Sequence, residues 1–130
     1  MIVSAEPRAP QSAMLEAART FLGILSPTEK SQAMFPFNSE ERFRWFYTPV
    51  PRKGISLKEM TDTQKQAALN LLRVGLSERG YRKAETIRRL EDVLRELERG
   101  SGPTRDPELY FVTFFGQPSE TCLLYTSRCV

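Results

Sequence analysis

LYFVTFFG, residues 109–116, decides how this chain is read. Between Leu109 and Phe115 only Thr113 is polar, so both faces of an extended segment are apolar. A half-solvated strand alternates instead, and a short continuous apolar run belongs to a strand covered on both faces. Such a strand is expected in the middle of a sheet, with a neighbour on each side. One other stretch offers a good strand, 42–47 within RFRWFYTPVPRKG. There Phe43, Trp45 and Tyr47 alternate with Arg42, Arg44 and Phe46, which suits a strand. Pro49 and Pro51 end it. The remaining strands are expected outside this sequence.

Upstream, the periodicity is helical. Ala13, Leu15, Ala17, Ala18, Phe21, Leu22 and Leu25 predict a helix over about 12–25 with a broad apolar face. Ser26-Pro27-Thr28-Glu29 is a start signal, with Ser as cap, Pro tolerated at the first position and Glu closing a capping box. That helix ends before Phe35-Pro36. Asn38 to Glu41 make a turn or one helical turn. Thr61-Asp62-Thr63-Gln64 opens another helix, to about Leu76, with Ala68, Leu69, Leu72 and Leu76 inward. Ser77 or Gly80 starts the strongest helix, on which Tyr81, Ala84, Ile87, Leu90, Leu94 and Leu97 recur at three- and four-residue steps. Glu85 with Arg89, and Glu91 with Arg95, are i,i+4 pairs worth about 0.3–0.5 kcal/mol each. The fold class is α+β: amino-terminal helices, then the start of a mixed or antiparallel sheet, incomplete through truncation. Residues 1–11 read as a flexible lead-in, 12–120 as a partial single domain, and 121–130 as a foreign tail.

The tail, TCLLYTSRCV, holds both cysteines, Cys122 and Cys129. Their spacing fits no zinc site, and Cys129 is wrongly placed for prenylation. CLLYTSRCV back-translates to TGT CTC TTA TAC ACA TCT AGA TGT GTA. That is the transposase end of a sequencing adapter followed by its reverse complement, and the next codon of the repeat is the stop TAA. The tail is accordingly set aside as a cloning scar before fold reasoning.

Composition narrows the function. A formal charge of +3 is too small to argue for nucleic acid. There is no histidine, so the commonest general base and metal ligand are absent. No run is long and apolar enough for a membrane span, and the start lacks the apolar stretch of a secretory signal. Cytoplasmic is the default location. No phosphate loop, nucleophile elbow or paired-acid motif occurs, and no metal site is expected in this stretch.

Several ordered motifs carry a resemblance. They are Trp45-x-Tyr47-Thr48-Pro49 with Pro51-Arg52-x-Gly54, then Leu76-Ser77-x-x-Gly80-Tyr81 with Ala84, then Leu90-Glu91. Arg105-Asp106-Pro107-Glu108 and Phe115-Gly116-x-Pro118-Ser119 complete the set. Over about residues 20–119 the chain resembles the opening of the family known as domain of unknown function 3500. Phe46 departs from it, standing where a polar or histidine residue is common. The resemblance implies a larger protein, continuing after Ser119 into a tryptophan- and histidine-rich stretch with paired His residues. Such a stretch could bind a metal or serve acid–base chemistry. The implied reading is the amino-terminal part of a metal- or histidine-dependent hydrolase-like protein. Its partner would be its own carboxy-terminal half, and the fragment alone would be inactive. The alternative is a non-catalytic helical binding or structural module.

Arg42, Trp45, Tyr47, Arg52 and Glu91 are the candidate pocket or anion-binding residues. Arginine suits bidentate carboxylate or phosphate, and aromatic rings can stack a ligand. The plainer reading of the first four is an amphipathic strand with its arginines in water. Glu91 sits beside the apolar face of its helix, either held for a metal, a base or an Arg partner, or simply paired with Arg95. Ser77 to Tyr81 read as a helix junction, and Arg105-Asp106-Pro107 as a turn.

Overall fold

In the computed structural model, residues 10–44, 46 and 50–119 are described. Trp45, Tyr47, Thr48, Pro49 and the whole tail lie outside them. Among the described residues four helices form: α1 (Pro10–Gly23), α2 (Pro27–Ala33), α3 (Asp62–Gly75) and α4 (Glu78–Glu98). Four two-residue strands accompany them: β1 (Met34–Phe35), β2 (Ile55–Ser56), β3 (Phe111–Val112) and β4 (Phe114–Phe115). The architecture is α+β.

Local caps start the helices where the sequence places them. Ser26 Oγ accepts from the Glu29 N–H while the Glu29 carboxylate accepts from the Ser26 N–H at 2.7 Å. Thr61 and Gln64 repeat the arrangement at α3. Ser77 caps α4 through the Gly80 N–H at 3.1 Å. The buried face of α1 carries Leu15, Ala17, Ala18 and Phe21, as the spacing predicts, and Leu25 follows in the next turn. α1 packs chiefly on α3. There the inward residues are Gln64, Ala68 and Leu71, at i, i+4 and i+7. Leu69 and Leu72 are half-buried, and Leu76 is exposed, so the expected face is rotated. α4 buries none of its residues fully; Leu90 and Leu97 stay exposed.

The strands require a larger correction. LYFVTFFG is not one mid-sheet strand. It splits at Thr113 into β3 and β4, each with its own partner. β3 runs antiparallel to β2, with Ile55 opposite Val112 and Ser56 opposite Phe111. The ladder extends through Leu57 N–H to Tyr110 O and Lys58 N–H to Glu108 O. β4 runs parallel to β1, with Met34 opposite Phe114 and Phe35 opposite Phe115. The run is apolar throughout because side chains from elsewhere cover it. Phe114 stacks on Phe21 at 6.0 Å between centroids, and Phe115 meets Phe35 at 5.8 Å. Phe21 and Phe114 are almost wholly buried, each worth about 1.5–3 kcal/mol of transfer free energy.

Of the strand expected over 42–47, Trp45 and Tyr47 lie outside the described residues, and the described start of it, Arg42–Phe43, is not extended. Glu40–Phe43 form a single 3-10 turn capped by Ser39, and Phe43 is 70% exposed. A three-residue turn spreads consecutive side chains around its axis, so Arg42 and Phe43 share no buried face.

Candidate functional site

A cleft of about 380 Å³ opens between the 50–52 segment, α4 at Glu91 and the 103–111 segment. Two sequence-selected residues, Arg52 and Glu91, line it together, with Arg105, Asp106 and Tyr110 between them. Arg52 Nη2 donates to the Phe46 carbonyl at 2.6 Å, which ties the guanidinium to the preceding chain. Glu91 does not pair with Arg95, which is taken by Asp92 at 2.8 Å. Its carboxylate, 13% exposed, lies 3.9 Å from Arg105 Nη1. Glu85 likewise pairs with Arg88, not Arg89.

Arg42 is elsewhere. Its guanidinium lies 4.3 Å from the Phe37 ring centroid and 5.1 Å from that of Phe43, and donates to the Phe37 carbonyl. It does not reach the cleft. Trp45 and Tyr47 fall outside the described residues; of the described members of the basic-aromatic cluster, Arg52 lines the cleft.

Arg105 is the residue that sequence reasoning assigned to a turn. It makes a forked contact with Glu98, Nε to Oε2 at 3.0 Å and Nη2 to Oε1 at 2.7 Å. The next charged residues are fastened too. Asp106 pairs with Lys58 at 2.7 Å and Glu108 with Lys65 at 2.6 Å. The turn is real, since Asp106 Oδ1 accepts from the Glu108 N–H. It is also a latch whose three charges reach α4, the 3-10 turn at Leu57–Glu59, and α3.

These contacts shift proton affinities. The hydrogen bond from Lys58, and then the Glu108 N–H, hold the Asp106 carboxyl below the usual carboxylate range. Hydrogen bonds from Arg105 do the same to Glu98. A carboxyl with a depressed folded pKa stabilises the fold above its unfolded pKa, and that contribution is lost as pH falls through the folded value. The urea midpoint should therefore hold steady from neutral pH to the usual carboxylate range, then drop on further acidification. Asp106→Asn should lower the neutral midpoint and flatten part of the acid fall. A variant whose pH profile overlays the parent would show that the latch carries no stability.

Among the described residues, no three His, Cys, Asp or Glu side chains are grouped to hold a metal ion. No helix there is long and apolar enough to cross a membrane. The cleft offers a guanidinium on one wall, a carboxylate on the other, and the apolar flank of Leu109 and Phe111.

The sequence model of one family, Protein of unknown function (DUF3500), matches residues 7–126. The chain belongs to the DUF3500 family. The matched range takes in 121–126, part of the tail that reads as an adapter. No curated protein and no solved structure matches. Within this DUF3500 chain, Arg52, Glu91 and Arg105, from three separate family-like motifs, meet at one cleft.

Proposed function

We propose that this part of the DUF3500 protein recognises a small anionic molecule, a carboxylate or phosphate, in the cleft at Arg52. The observation that carries this reading is the meeting of Arg52, Glu91 and Arg105 at a cleft of about 380 Å³, within the usual range of ligand sites. Arg52 would supply the principal donors. Arg105, held by Glu98 and neighboured by Glu91, would set the shape of the opposite wall. The wider proposal is a hydrolase-like protein whose metal or histidines lie in a further part of the protein. It rests on the resemblance, since this chain has no histidine. The second reading, a non-catalytic binding or structural module, draws on α4, a 21-residue helix with no fully buried side chain.

The test is titration of the full chain with inorganic phosphate and with succinate, followed by backbone amide shifts. Saturable shifts are expected at residues 50–53 and 103–111. Arg52→Gln should weaken them about ten-fold, the loss of one charge-assisted hydrogen bond, while the helical circular dichroism is kept. Absence of saturable shifts with either anion, or equal binding by the variant, would overturn the proposal.

A further inference from the structure

A second cavity, of about 320 Å³, lies between α3, the amino-terminal half of α4 and β3. Leu69 and Leu72 of α3, Ala84 of α4 and Val112 of β3 give it apolar walls. It exists because of how α4 is held. The short Leu76-Ser77 junction fixes one end to α3, and the Glu98–Arg105 fork fixes the other. Between these anchors none of the helix is fully buried, and Leu69 and Leu72 are left half-buried beneath it.

The polar residues around this groove are unbalanced. The Glu85 carboxylate is engaged by Arg88 Nη2 at 3.2 Å. Lys83 is exposed and has no carboxylate partner among the described residues. Two cations therefore line the groove against one anion, and the charge of Lys83 is left unmatched there.

We infer that the groove under α4 binds a small amphiphile, an apolar chain or ring bearing one carboxylate. The apolar body would cover Leu69, Leu72 and Val112, and the carboxylate would sit at Lys83 and Arg88. A second copy of the chain fits the charge less well, because a symmetric contact through this groove would set like-charged rims together. The site does not rest on the Arg52 cleft, although Tyr110 and Phe111 line both.

The experiment uses the full chain, with its oligomeric state measured first, and titrates octanoate, octylamine and 1-octanol by calorimetry. Octanoate is expected to bind saturably at one site. Octylamine should be at least about ten-fold weaker, because its ammonium cannot accept the charge-assisted hydrogen bond that the carboxylate accepts. Lys83→Glu should weaken octanoate by about the same factor at an unchanged melting temperature. Ala84→Trp, which fills the groove, should abolish binding while keeping the helical circular dichroism. Arg52→Gln should leave octanoate binding untouched, so this inference and the cleft proposal fail separately. Equal binding of octanoate and octylamine would overturn it, as would octanoate binding retained in a folded Ala84→Trp. A dimer that Ala84→Trp dissociates would overturn it in favour of a self-interface. Should Ala84→Trp fail to fold, unchanged octanoate affinity in Lys83→Glu is the overturning result.

Discussion

Gly54→Ala is expected to lower the unfolding free energy by about 3–5 kcal/mol, from backbone strain and overpacking together. Gly54 has φ +109°, outside what an L side chain readily adopts. A Cβ there would overlap Thr113 Oγ1 and stand 2.7 Å from the Val112 carbonyl oxygen. Neither neighbour can retreat cheaply. Val112 is paired with Ile55 in the β2–β3 ladder, and the Thr113 hydroxyl donates to the Lys53 carbonyl at 3.2 Å. A domain holds only about 5–15 kcal/mol in total, so the variant should be near the edge of folding. Gly23→Ala is the matched control, because a Cβ at that position meets nothing within 4 Å. It should be neutral, or stabilising by up to about 1 kcal/mol. Urea denaturation followed by far-ultraviolet circular dichroism measures both. Coincident midpoints for Gly54→Ala and the parent would refute the close approach. The glycine of the Pro51-Arg52-x-Gly54 motif thus has a physical cause, the close approach of Val112 and Thr113 just before β2.

The helices were legible because their signals are local. Ser26 with Glu29 and Thr61 with Gln64 each sit three residues apart, and each closes the box its spacing announces. The strands were not. Met34–Phe35 and Ile55–Ser56 are two residues long, too short for any periodicity, and they are strands only because residues 111–115 arrive beside them. A long apolar run can be covered by helix and loop side chains as well as by neighbouring strands. Phe21 from α1 serves Phe114 in this way. The 42–47 stretch misled for a related reason. Arg42 shelters over Phe37 and Phe43, so an exposed aromatic finds a partner without a core.

At the cleft, chemistry type was legible and partnership was not. An arginine after Pro51 and a glutamate beside an apolar helix face are recognisable, and Arg52 and Glu91 do meet. Two of the latch's three pairs were invisible because their partners are remote in sequence. Lys58 is 48 positions from Asp106, and Lys65 is 43 from Glu108. The expected Glu91–Arg95 pair failed on geometry. Asp92 reaches Arg95 at i,i+3, while Glu91 turns toward Arg105 on another segment.

Gln64→Glu should cost about 2–4 kcal/mol at neutral pH, the loss of buried hydrogen bonds plus an added like charge. Gln64 is 6% exposed and fully employed. Its Oε1 accepts from the Thr61 N–H at 2.9 Å, closing the α3 capping box. Its Nε2 donates to the Ile24 carbonyl at 3.3 Å and to Glu29 Oε2 at 3.1 Å. Glu29 is the closing residue of the α2 box, so one amide joins the starts of two helices and the end of α1. A carboxylate at this place keeps the acceptor and removes both donors. It also sets a second negative charge against Glu29, whose own carboxyl is held low chiefly by the Ser26 backbone N–H. The new carboxyl would have a raised folded pKa, so the charge part of its penalty should be absent below the usual carboxylate range and grow as pH rises through it. Gln64→Met keeps the volume and adds no charge. It should cost about 1–3 kcal/mol with no such pH dependence. The decisive measurement is the difference in urea midpoint between Gln64→Glu and Gln64→Met across that range. A constant difference would mean that Glu29 and the residue at 64 do not face each other, and the junction of α1, α2 and α3 would need another explanation.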